Sequence, residues 1–166
     1  MLAKMHSMGL YGIDAYPVEV EVDVANASLA SMTVVGLPDA SVKESTDRVR
    51  AALKNSGFYL PIRAITVNLA PADRKKEGPA FELPIALGLL EALDVFEPAT
   101  EASYGIVGEL ALDGEIRKVR GCLSMALEAR RSGLDGLVVP LDNASEAGVV
   151  DGIDVVPVGH ICEAVD

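Results

Sequence analysis

Hydrophobic and polar positions alternate strictly where the pattern first becomes clear: Val18, Val20, Val22 and Val24 are interleaved with Glu19, Glu21 and Asp23. That period of two predicts a strand with one face on a core and an acidic face in water. Residues 29–35 read as its partner strand, ended by Gly36-Leu37-Pro38, which removes a ladder donor and introduces a turn. The period then changes. Ser41-Val42-Lys43-Glu44 fits a capping box, and Val42, Val49, Ala52 and Leu53 mark one face of a helix that Gly57 stops. Glu44 and Arg48 are spaced to pair on its outer face.

A second strand pattern covers residues 62–69, with Ile65, Val67 and Leu69 inward, and runs into a charged loop closed by Gly78-Pro79. A helix over residues 81–93 follows, with Leu83, Ala86, Leu87 and Leu90 as its buried stripe; Pro84 is tolerated in its first turn. Residues 106–112 and 115–119 flank Asp113-Gly114, the signature of a tight two-residue hairpin turn. The remainder alternates a helix (123–131, stopped by Gly133), a strand (137–140), a short helix (143–149, capped by Asp142) and a strand (153–158). Residues 160–166 read as the start of another helix, so more chain is expected to follow in a parent protein. Early hairpins followed by helix-strand crossovers predict an α+β, or mixed α/β, sandwich in a single domain over residues 1–166.

Composition narrows the functional classes. Of 166 residues half are hydrophobic, acidic residues outnumber basic ones 25 to 14, and the formal charge of -11 repels a phosphate backbone unless the cations share one face. Tryptophan is absent and aromatics are 4% of the chain, leaving few stacking platforms. Cys122 and Cys162 make neither a disulfide framework nor a metal spacing, and no segment approaches the ~20 apolar residues of a membrane span. A cytoplasmic location without membrane partners is expected.

Two short basic groups stand out, Arg74-Lys75-Lys76 before Gly78 and Arg117, Lys118 and Arg120 after the hairpin. If they meet on one face they form a strip for nucleic-acid phosphate or for the acidic face of a neighbouring copy; the competing reading is a pair of solvated loops. Glu77 and Glu82 flank the Gly78-Pro79 turn, and Glu82 suits a helix N-terminus better than acid-base work. Ser124 with Lys118, and His160 with Cys162, are the remaining combinations with any chemistry, the latter two ligands short of a structural zinc site.

The stretch NLAPADRKKEGPAFELPIAL resembles the proteolytic domain of Lon, where Gly-Pro-Ser places the nucleophile; the matching residue here is Ala80. The lysine of the Lon dyad falls at Leu123. Neither side chain can attack a carbonyl or carry a proton, so the resemblance implies a lost peptidase site with no catalytic residue. Together, VVGLPDASVKESTDRVRAALKNSGF, ITVNLAPADRKKEGPAFELPIALGLL and GELALDGEIRKVRG are similar to the N-terminal domain of the ComM/YifB family, AAA+ proteins of the magnesium-chelatase-like group, over residues 10–158. The resemblance implies a Lon-like two-layer fold ahead of an ATPase module. It implies a parent that forms a hexameric ring, uses ATP and Mg2+, and migrates branched DNA in recombination or natural transformation. This domain would then be a scaffold or part of the channel for branched or single-stranded DNA. No Gly-Lys pair exists in the chain, so a phosphate loop is not expected here, nor any cofactor or metal. A peptidase with a displaced dyad and an accessory domain of a magnesium-chelatase-type ATPase are the alternatives.

Overall fold

A computed structural model describes residues 1–166. The chain opens with a long antiparallel hairpin of β1 (Leu2–Tyr11) and β2 (Asp14–Asn26), in register from Leu2 opposite Asp23 to Tyr11 opposite Asp14. Val18, Val20, Val22 and Val24 point into the core as their alternation demands. The expected partner of β2 is corrected: β3 (Ser31–Val35) pairs instead in parallel with β4 (Arg63–Ala70), which lies between β3 and β2. The intervening helix α1 (Ala40–Asn55) supplies the crossover that a parallel pair needs.

The seven-stranded sheet has the order β3-β4-β2-β1-β5-β8-β9, where β5 is Tyr104–Ile106, β8 is Gly136–Pro140 and β9 is Asp154–Val158. Strand β1 is the hinge of this layout: antiparallel to β2 on one side, parallel to β5 on the other. Two short strands, β6 (Glu109–Leu110) and β7 (Ile116–Arg117), form a separate hairpin. The mixed α/β class is as expected.

Helix α2 (Glu82–Ala92), entered through a 3-10 turn at Pro79–Phe81, is enclosed on all sides rather than along one stripe. Every residue from 81 to 90 is buried, because the sheet, α1, β6 and the terminal helix α5 (Ile161–Val165) all pack on it. Helices α3 (Cys122–Arg131) and α4 (Ala144–Ala147) cover the opposite face at the β5-β8-β9 end. The alternation of β8 shows the division: Leu137 and Val139 join the cluster around α3 and α4, while Val138 packs toward α2. Two interiors result, one of 27 buried residues and one of 11.

Three local expectations are corrected. The cap of α1 is Asp39, whose Oδ1 accepts from the Val42 amide at 2.8 Å, and not Ser41, whose carbonyl accepts from Arg48. At the hairpin only Gly114 has a positive φ (93°), with the Ala111 amide donating to the Glu115 carbonyl at 2.9 Å. The loop is thus three residues ending on a left-handed glycine, not two. Asp142 caps nothing; residues Leu141–Asn143 form a 3-10 turn, and the buried Asn143 amide instead grips both backbone groups of Val119.

Candidate functional site

The site lies where β4 delivers the chain to α2. Its entry loop is fixed by Lys76, fully buried, whose ammonium donates to the carbonyls of Gly36 (2.9 Å) and Pro71. The Lys76 backbone pairs with the turn before α1, donating to the Leu37 carbonyl and accepting from the Asp39 amide. Burial holds this ammonium below the ordinary lysine range, with Asp73 opposing and Arg74 reinforcing the shift. Lys76 therefore leaves the basic strip expected of it: it is an internal clamp, and its charge is spent on carbonyl oxygens rather than on a phosphate. Beside it the Tyr16 hydroxyl donates to the Lys75 carbonyl at 3.1 Å, and the Arg74 guanidinium sits 4.4 Å from the Tyr16 ring centre and 5.8 Å from that of Tyr11. Contacts of that kind favour a cation over an aromatic face. Burial raises the Tyr16 phenol above its ordinary range.

At Gly78 the backbone takes φ 80°, ψ 174°, a conformation that side chains resist, and its amide reaches Asp39 Oδ2 at 3.4 Å. The chain then turns through Pro79 and Ala80, and the Ala80 carbonyl accepts from the Gly108 amide at 2.9 Å. Glu82 follows at the start of α2, fully buried. It accepts from Arg48 Nε at 2.7 and 3.1 Å and from the Leu110 amide at 3.2 Å. Burial raises its carboxyl above the ordinary range, and Arg48 pulls against that shift. This ion pair joins α1, α2 and β6 as a brace, a partner for Glu82 that the sequence did not suggest.

A cavity of about 320 Å³ opens beside Ala80. Its apolar walls are Met8, Leu10, Phe81, Val119 and Met125, and its charged rim is Glu77, Glu109, Lys118 and Arg120. Lys118 and Arg120 thus come together across from the Gly78–Ala80 segment, whereas Arg74, Lys75 and Arg117 are exposed but stand outside the cavity wall. Lys75 reaches Glu77 at 3.8 Å. On α3 it is Met125 that lines the cavity; Leu123 is 40% exposed and outside it. No hydroxyl, thiol or imidazole lines this cavity.

The other combinations do not assemble. Ser124 Oγ donates to the Ile13 carbonyl at 2.6 Å on a separate shallow depression, away from the cavity that Lys118 lines. His160 caps α5, its Nδ1 accepting from the Cys162 amide at 3.1 Å and its Nε2 bonding the Asp113 carbonyl at 3.0 Å. A somewhat larger cavity, about 370 Å³, is lined by Lys4, His6, Glu91, Phe96 and Tyr104, and contains none of the candidate site residues named from sequence. Burial raises the Glu91 carboxyl there, and the hydrogen bond to Asp154 raises the Tyr104 phenol. Met125 and Glu109 are site residues that sequence reasoning passed over; a methionine on an apolar helix face and a glutamate in a hairpin carry no distinguishing signal.

Residues 20–143 match the family model described as subunit ChlI of Mg-chelatase. The chain is 45% identical over 149 residues to the uncharacterized protein YifB of Salmonella typhimurium, covering 90% of this chain and 29% of that protein. It is 44% identical over 149 residues to the competence protein ComM of Haemophilus influenzae, again covering 90% and 29%. A more distant likeness, 26% over 162 residues, is to the Lon protease of Aster yellows witches'-broom phytoplasma, covering 92% of this chain and 20% of that protein. The chain thus spans under a third of the length of the relatives it matches.

Proposed function

Because the chain belongs to the family of the Mg-chelatase subunit ChlI, as a fragment of the ComM/YifB type, we propose that it is a non-catalytic scaffold and DNA-channel domain of a larger ring-forming motor. The observation that carries the non-catalytic part is Ala80, which stands where the Lon-like outline calls for a serine, in a cavity lined by no hydroxyl or thiol. The motor part rests on kinship. A relative named as a competence protein fits a role in handling incoming DNA, and the parent would supply ATP, Mg2+ and the hexameric ring from the part of the protein outside this chain. Branch migration of DNA is the activity this reading assigns to that parent.

Within the domain the exposed cations Arg74, Lys75, Arg117, Lys118 and Arg120 are the contacts for DNA phosphate or for a neighbouring subunit. They offset a formal charge of -11 only locally, so binding requires several copies around one DNA. The test is binding of the full-length parent and of this domain to fluorescent branched DNA over a salt series, with light-scattering mass in parallel. A steep salt dependence that Arg74→Glu with Lys75→Glu flattens supports the reading. Unchanged assembly and unchanged DNA affinity in that double variant overturn it.

A further inference from the structure

We infer that the cavity beside Ala80 is a binding site for the terminal carboxylate of a peptide whose last residue is apolar. Three features of the cavity converge on that ligand. The first is charge. Lys118 and Arg120 both line it, and neither makes an ion pair within the protein, every pair found elsewhere involving other residues. Of the two carboxylates at the rim, Glu77 is engaged by Lys75, which leaves Glu109 as the counterweight to two cations. A carboxylate entering between Lys118 and Arg120 restores balance, and a guanidinium is suited to grip it through paired donors.

The second feature is the apolar wall. Met8, Leu10, Phe81, Val119 and Met125 form a greasy surface directly against the cationic rim. A chain end places a carboxylate and an apolar side chain on the same carbon, and so meets both surfaces at once. Methionines conform to varied partners, so two of them suit a site that takes more than one apolar residue. The third feature is size. About 320 Å³ lies at the low end of the ~300–1,000 Å³ of small-ligand pockets, enough for one or two residues. The Gly78–Phe81 segment forms one wall of that space. Glu109, across the rim, accepts the amide of the penultimate residue. The inference does not depend on the DNA reading.

The probe is a hexapeptide of five alanines and a C-terminal leucine, labelled at its amino end and titrated into the 166-residue chain by fluorescence anisotropy. Saturable binding is expected at or below about 1 mM, the weak end of specific recognition. Amidation of the terminus is expected to weaken it at least tenfold, and so is Lys118→Ala combined with Arg120→Ala. Ala80→Trp, which fills the cavity, is expected to abolish it; Val119→Thr serves as a second, gentler change should the tryptophan variant melt early. Equal binding of the acid and the amide, or no saturable signal, overturns the inference. Equal affinity for N-acetylleucine overturns its peptide part, because a free apolar acid then satisfies the site. No DNA enters this titration, so its failure leaves the channel reading standing, and failure of the DNA assay leaves this one standing.

Discussion

Replacing Arg48 by methionine tests the brace between Arg48 and Glu82. The substitution keeps most of the aliphatic stem and removes both charge-assisted bonds to Glu82, at 2.7 and 3.1 Å, leaving a fully buried carboxylate with the Leu110 amide as its remaining strong donor. Breaking a buried pair from one side costs about 3–5 kcal/mol. Arg48 retains 28% of its side-chain exposure, which places the expected loss near the lower end, about 3 kcal/mol. For a chain of this size each kcal/mol moves the melting point by roughly 2–4 °C, so a fall of about 6–12 °C is expected. The sign of the pH dependence follows from burial. The folded Glu82 carboxyl lies above its ordinary value, so between the two values the folded state binds more protons than the unfolded one, and stability falls as pH rises through that window. Removing Arg48, which pulls the carboxyl down, extends the window upward. The deficit of Arg48→Met is therefore larger at about pH 8 than at about pH 5. Adding Glu82→Gln to Arg48→Met, which discharges the orphaned group, recovers part of the loss. Urea melts followed by far-ultraviolet circular dichroism suit a chain without tryptophan. A loss under about 1 kcal/mol, an identical loss at both pH values, or no recovery in the double variant refutes the brace.

Asp39→Ala removes the α1 cap and the acceptor of the Gly78 amide together, and is expected to cost about 1–2 kcal/mol in the same melts. Lys76→Met leaves the carbonyls of Gly36 and Pro71 without their donor, for an expected loss of about 1–3 kcal/mol. Since burial lowers the folded Lys76 ammonium below its ordinary value, the unfolded chain binds more protons between the two. The wild type therefore gains stability on the variant as pH climbs through that alkaline window, which melts at stepped pH will show. Cys122 is buried with its thiol pushed up to about 12, so a thiol reagent at about pH 8 labels the exposed Cys162 alone until denaturant is added, as mass spectrometry will count.

Local patterns were legible and long-range ones were not. The valines of β2 and the inward face of α1 follow directly from periods of two and of 3.6, and the Gly78-Pro79 turn into α2 was visible from its residues. Strand β1 escaped because its inward row includes Ser7, whose hydroxyl donates to the Ile106 carbonyl at 2.7 Å; a satisfied polar residue breaks the apolar alternation without breaking the strand. The partner of β3 escaped because adjacency in sequence favours hairpins, and only the packing of α1 decides for a parallel crossover. At the site, Lys76 looked like its neighbours Arg74 and Lys75, since nothing local distinguishes a solvated lysine from one aimed at two carbonyls. Arg48 and Glu82 are 34 residues apart, and their meeting depends on how α1 lies on α2.

The division of the interior into two clusters also sets how the molecule comes apart. Ala80 packs against the smaller cluster while the adjacent Phe81 belongs to the larger, and Met8, Val119 and Met125 across the cavity belong to the smaller. The cavity therefore lies on the seam between the two clusters, and amide exchange in α3 compared with α2 is expected to show whether the smaller one opens first. A molecule seated there touches both halves at once and, by binding only the closed seam, slows their separation in proportion to its own affinity.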